Sequence, residues 1–183
     1  VFDPGGAFDR SWPVTDPRDL TIGPGGDVYV AFMNQVTRYT PSGTLVGQFT
    51  GTVIDTPNGI AAGADGSVYV AQSYANRVKK FTAAGAFVTE WGGSQDDSGP
   101  GSIDGPRQVA VGPNGDVYVV DARNLRVQRF TAAGAFVSQF GTYQRPGRLR
   151  DPAGVATDAA GNVYVSDQRN HQVQVFGSEG TFL

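Results

Sequence analysis

A chain of 183 residues, 39% hydrophobic and 17% charged, is long and apolar enough to bury a core of ordinary domain size and is not a disordered tail. Its net charge of −3 is evenly spread, with 6 basic and 8 acidic side chains in residues 1–91 and 8 and 9 in residues 92–183, so no global basic field draws it to nucleic acid or a membrane surface. The absence of cysteine excludes a disulfide framework, a thiolate metal site and a cysteine nucleophile, and no apolar run approaches the roughly 18 residues of a membrane-spanning helix.

The chain opens partway through a unit. Phe2 to Trp12 runs from an aromatic through a glycine turn to a second aromatic, so residues 1–16 read as the end of a preceding repeat. A full repeat then begins at Pro17 and covers 17–56. The next two cover 57–105 and 106–151, and the last, 152–183, stops before its final unit is complete. In all four, 11 residues separate the proline from the first valine of Val-Tyr-Val or its neighbours (17 to 28, 57 to 68, 106 to 117, 152 to 163). The paired aromatics lie 10 residues apart every time (2 to 12, 39 to 49, 81 to 91, 130 to 140). Self-similarity at 40 to 50 residues decides a fold before any local reading does.

Within the third repeat, four strands are predicted. Strand A is Gln108 to Val111, with alternating Val109 and Val111. Gly112-Pro113-Asn114-Gly115-Asp116 reverses the chain, since proline presets φ and Asn-Gly tolerates positive φ. Strand B, Val117 to Val120, is apolar on both faces, as a strand sandwiched between neighbouring sheets requires. Strand C is Arg126 to Phe130, and a Thr-Ala-Ala-Gly turn leads into strand D, Ala135 to Phe140. The expected fold class is all-β, with small four-stranded sheets arranged as the blades of a β-propeller.

The stretch Asp121-Ala122-Arg123-Asn124-Leu125-Arg126-Val127-Gln128-Arg129-Phe130, with the Pro-x-x-Val-Ala-Val-x-x-x-Gly-x-Val-Tyr-Val segment upstream, resembles the signature of NHL repeats. The copies differ. The fourth repeat keeps Asp167, Asn170, Val173, Gln174 and Phe176 but has Gln172 at the arginine position, the second has Gln72 and Ala75 for the Asp and Asn, and the first is two residues shorter between Val28 and Tyr39. Asp121 and Arg126 are expected to pair across the B–C connection as a weak structural clamp. The resemblance implies six blades, which at this period need about 270 residues. The chain is therefore expected to be part of a longer ring or to close by oligomerising, with its terminal blades open to self-association.

Function is expected where the spacing breaks. In a blade the A–B and C–D turns face one rim, and the B–C loops and D–A links face the other. The D–A links measure 5, 8, 15 and 12 residues from last aromatic to next proline, so the variation gathers on one rim, as on the binding face of a repeat scaffold. Arg107, Arg123, Arg145, Arg148, Arg150 and Arg169 fall there and are suited to grip carboxylates, phosphates or sulfates, although Asp104, Asp121, Asp151 and Asp167 stand nearby to balance them. Asp16, Asp55, Asp104 and Asp151 precede the four prolines. Turn initiation is the preferred reading of these, with a cation at the channel mouth as the alternative.

No cofactor is expected. The chain has one histidine, His171, two glutamates, Glu90 and Glu179, and neither a nucleophile elbow nor a phosphate loop. The expected role is a non-catalytic module, secreted or in the cell envelope, that binds a protein, peptide or glycan through this rim; for the arginines a solvated, balanced surface is the preferred reading, with an anionic partner as the alternative. A lactonase- or lyase-like enzyme with an axial metal, which the architecture also implies, is the alternative, and RNA binding comes third because the net charge is negative.

Overall fold

The computed structural model describes residues 1–93, 98–142 and 146–183. Among these residues fifteen strands form and no helix does. The first sheet comprises β1 (Asp19–Ile22), β2 (Val28–Phe32), β3 (Gln35–Tyr39) and β4 (Leu45–Gln48), and the second β5 (Pro57–Ala62), β6 (Val68–Gln72), β7 (Arg77–Phe81) and β8 (Phe87–Gly92). The third holds β9 (Pro106–Val111), β10 (Val117–Asp121), β11 (Arg126–Phe130) and β12 (Phe136–Phe140), and the fourth β13 (Pro152–Thr157), β14 (Val163–Asp167) and β15 (Gln172–Phe176). Each sheet is an antiparallel meander in chain order, and the fourth has three strands. Strand A of the third sheet starts two residues earlier than its valine alternation suggested, because Pro106 pairs with Asp121 beyond a bulge.

Turn chemistry sets these hairpins. In the third A–B turn the Gly115 backbone takes φ 85, and its N–H closes on Gly112 O at 2.9 Å. The register that follows places Val117 opposite Phe130 and Asp121 opposite Arg126, so the two ends of the B–C connection face each other.

The sheets stack through one interface made three times. Tyr29, Ala31, Val36 and Phe49 of the first meet Ile60, Val68, Val70 and Phe81 of the second. Tyr69, Ala71 and Val78 meet Val109, Val117, Val119 and Phe130 in the same way, and Tyr118, Val120, Val127 and Phe140 meet Val163, Val165 and Phe176. Each fully buried side chain of this size contributes about 1.5–3 kcal/mol, which a lone four-stranded sheet cannot gather. Strands β6 and β10 are consequently buried along their whole length. In β14, Tyr164 is exposed, and among the described residues no sheet covers that side of the fourth blade.

Polar contacts repeat with the same period. Arg38, Lys80 and Arg129 on the C strands donate to Ala83 O, Ala132 O and Ser178 O in the C–D turn of the next blade, at 3.2, 3.0 and 3.3 Å. Toward the axis, Asp19 Oδ2 accepts from Ile60 N at 2.8 Å and from Gln108 Nε2 at 3.0 Å. One carboxylate of the first sheet thus touches both the second and the third. The A strands therefore converge, as around the hub of a propeller.

Candidate functional site

The B–C loops and D–A links share one rim, and their construction differs from blade to blade. In the third blade, Asp121 ends strand B and Arg126 begins strand C, with their side chains almost wholly buried and Arg126 Nε 2.7 Å from Asp121 Oδ2. Asp121 also accepts from Asp104 N at 2.7 Å, from Asn124 Nδ2 at 3.1 and 3.0 Å and from Gln128 Nε2 at 2.9 Å. The remaining guanidinium N–H groups donate to Ser98 O, Gly99 O, Ser102 O and Gln139 Oε1, which ties the incoming link and strand D to the loop. The expected clamp forms, but it is a buried hub rather than a weak surface pair, and breaking it strands a charge in the core.

The fourth blade keeps the carboxylate and drops the cation. Asp167 accepts from Arg150 N and Asp151 N at 3.0 Å each, from Asn170 Nδ2 at 2.6 Å and from Gln174 Nε2 at 3.0 Å. Gln172 stands in place of Arg126 and is exposed. Where a guanidinium fills the third blade, the fourth has a concavity of about 450 Å³ lined by Arg148, Arg150, Asn170, Gln172, Gln174 and Phe182, among others. Asn170 Nδ2 and Gln174 Nε2 both donate to Arg148 O at 3.0 Å, which fixes the backbone that carries the arginines.

The six arginines expected to bind fall into different states. Arg107 Nη1 pairs with Asp151 at 2.6 Å and also reaches Pro152 O, and Arg123 Nη1 pairs with Asp104 at 3.0 Å. These two are balanced locally, as the neighbouring aspartates suggested. Arg148, Arg150 and Arg169 are exposed, and among the described residues their guanidinium groups have no acceptor. Arg145 lies outside the described residues.

The four aspartates that stand one or two residues ahead of the repeat prolines do not come together as a metal-holding group. Asp104 and Asp151 hold the two arginines, Asp55 accepts from its neighbour Thr56 Oγ1 at 2.7 Å, and Asp16 is exposed with φ 49. Among the described residues no group of three or more His, Asp or Glu is placed to hold a metal ion. The physical reason is that each carboxylate already has a nearby cation or hydroxyl, or faces solvent.

His171 is exposed and its backbone takes φ 54, the left-handed conformation shared by Asn76 and Leu125 at the same loop position. Sequence reasoning missed two roles. The asparagine and glutamine of the signature, Asn124 with Gln128 and Asn170 with Gln174, hold the buried aspartate. That aspartate in turn captures the N–H groups of the incoming link. The regular recurrence of Asp, Asn and Gln was the available signal.

Small antiparallel sheets stacked about an axis by a repeated interface define a β-propeller. Similar solved structures include a streptogramin B lyase, with TM-score 0.74 and 22% identity over 96% of this chain and 56% of that one. A catalytically inactive virginiamycin B lyase from Staphylococcus aureus with quinupristin matches at TM-score 0.75 and 18% identity, over 100% of this chain and 60% of that one. Kuenenia stuttgartiensis hydrazine synthase matches at 0.72 and 14%, over 96% and 50%. The chain thus spans 50 to 60% of their lengths, and at these identities the likeness is one of fold. No curated protein matches the chain. More particularly, the family model of the NHL repeat matches residues 104–130 and 149–176, so the resemblance carried by Asp121 to Phe130 holds in the third and fourth blades.

Proposed function

We propose that the chain is a non-catalytic interaction module that binds an anionic partner, protein or glycan, at the rim of B–C loops and D–A links, with Arg148, Arg150 and Arg169 as its gripping residues. The observation that carries this reading is the contrast in pairing. Arg107 and Arg123 face their own aspartates, whereas Arg148, Arg150 and Arg169 have no acceptor among the described residues and gather about the fourth B–C loop. A guanidinium presents a planar fork of donors that fits a carboxylate, sulfate or phosphate, and its pairing is strongest where water is partly excluded, as in the concavity beside Gln172.

The test is retention of the purified chain on a sulfated-glycan resin and on an immobilised acidic peptide, at rising salt. Retention on one of the two, falling with salt and lost in the triple variant R148E/R150E/R169E, is the expected result. Equal retention of the wild type and the variant on both supports, or none by either, would overturn the reading.

A further inference from the structure

We propose that the cleft between the second and third blades, on the rim of A–B and C–D turns, binds a small zwitterion of the amino-acid class, independently of the anion reading on the opposite rim. The clefts on either side of it are closed by a repeated device. Tyr29 and Arg38 face each other across strands B and C of the first blade, as do Tyr118 and Arg129 of the third. Arg38 Nε donates to Asp27 Oδ2 in its own A–B turn at 2.6 Å, and Arg129 Nε donates to Asp116 Oδ2 at 2.6 Å. The two tyrosine hydroxyls donate to Ala83 O and Ser178 O in the C–D turn of the next blade, at 3.1 and 3.2 Å. Carboxylate, guanidinium and phenol thus satisfy one another and the neighbouring turn.

The second blade changes two parts of this device. Ser67 stands where the other blades have Asp27 and Asp116, and Lys80, opposite Tyr69, stands where they have arginine. Lys80 Nζ donates to Ala132 O at 3.0 Å and lies 5.4 Å from the centroid of the Tyr69 ring, and among the described residues it forms no ion pair. Tyr69 is 1% exposed, and its hydroxyl, the counterpart of two that are bonded, has no partner among the described residues. Beside it is a concavity of about 340 Å³, lined by Gly63, Asp65, Tyr69, Val111, Pro113 and Ala132, among others.

The concavity therefore adjoins a cation without the carboxylate its counterparts have, and a phenol without its acceptor. A ligand carboxylate answers both, as Asp27 and Asp116 answer the arginines. The opposite charge stands on the same lining. Asp65 accepts from Ser67 N at 2.9 Å and from Ser67 Oγ at 2.8 Å, and these bonds, with the field of Lys80, keep its carboxyl ionised. Lys80 and Asp65 sense each other across the notch without meeting. Each oxygen of Asp65 retains a lone pair for an ammonium group. A simple anion would be repelled by Asp65 and a simple cation by Lys80, whereas a zwitterion pairs with the two together. Val111, Pro113 and Ala132 complete the lining with apolar surface, which suits a short aliphatic side chain.

Titration of the whole chain with L-valine to about 50 mM, followed by the amide shifts of Asp65, Ser67, Gly112 and Ala132 in NMR spectra, tests the inference. The shifts should saturate in the millimolar range. Isovalerate, which lacks the ammonium group, and isobutylamine, which lacks the carboxylate, should each bind at least about tenfold more weakly. Tyr69→Phe should weaken valine binding about threefold to tenfold and leave the melting temperature of the free chain unchanged, since the hydroxyl it removes is unbonded. D65N/S67D, which gives the second turn the Asn-Gly-Asp of the third, should keep the strand signal in circular dichroism and lose valine binding. If D65N/S67D does not fold, the truncated probes and Tyr69→Phe still decide. No saturable shift at these amides, a truncated probe that binds as tightly as valine, or unaltered binding in Tyr69→Phe or in folded D65N/S67D would each overturn the inference.

Discussion

The third and fourth blades solve the same problem at the B–C end with different residues. Both must cross from strand B to strand C in four residues while holding the link that enters the blade. The third uses an aspartate and an arginine, buried together, and every guanidinium bond is spent inside the protein. The fourth uses the aspartate alone, satisfied by N–H donors, and leaves at the surface both space and cations with no acceptor among the described residues. One end is consumed by stability, and the other is the end proposed to bind.

The largest expected effect comes from breaking the third-blade hub. Asp121→Ala leaves Arg126 buried without its counter-ion and frees the Asp104 N–H, so unfolding in denaturant should show a loss of about 3–5 kcal/mol. Arg126→Gln is the sharper test, because it converts the third blade to the arrangement seen in the fourth. Asp121 keeps the donors that Asp167 manages with, and the loss, read from the same denaturation midpoints, should be smaller, about 1–3 kcal/mol. An equal loss in the two variants would mean that the N–H donors do not suffice for the buried carboxylate.

A smaller effect, of opposite sign, is expected at the loop crest. Leu125 takes φ 55, where a side chain with a γ-branch is strained, and Asn76 occupies this position in the second blade. Leu125→Asn should raise stability by about 0.5 kcal/mol, a shift of a degree or two in melting temperature. The smallest effect lies on the far rim. The Ser67 backbone N–H and hydroxyl bind Asp65 and hold its carboxyl below the ordinary carboxylate range. Its stabilisation is present above that range and lost as pH falls through it toward the lower folded value. Melting curves of the wild type and Asp65→Ala should therefore differ slightly at neutral pH and converge in acid.

The architecture was legible because packing dictates it. Four valines at a fixed step from four prolines, and aromatics at a fixed spacing, can be satisfied only by sheets that repeat, and they did so within two residues at every strand of the third blade. The site was legible in part. The described candidate arginines lie in the B–C loops and D–A links or at the entry to strand A, and Gln172 was visible as a departure from the arginine of the second and third copies. What could not be read was pairing. Arg107 reaches Asp151 across 44 residues and Arg123 reaches Asp104 across 19, and neither partnership follows from local spacing. The depth of the Asp121–Arg126 hub was also hidden, since its burial depends on Ser98, Gly99 and Ser102 in a link whose length alone was readable.

The most direct test sets the two groups of arginines side by side. Calorimetric titration with a sulfated oligosaccharide, or with the acidic peptide if that is the support that retains the chain, should show R107E/R123E binding within about threefold of the wild type, since each removes a cation already neutralised. The R148E/R150E/R169E variant should show no measurable heat. Equal losses in the two variants, or a loss confined to R107E/R123E, would contradict the proposal that the cations about the fourth B–C loop, which have no acceptor among the described residues, are the binding residues.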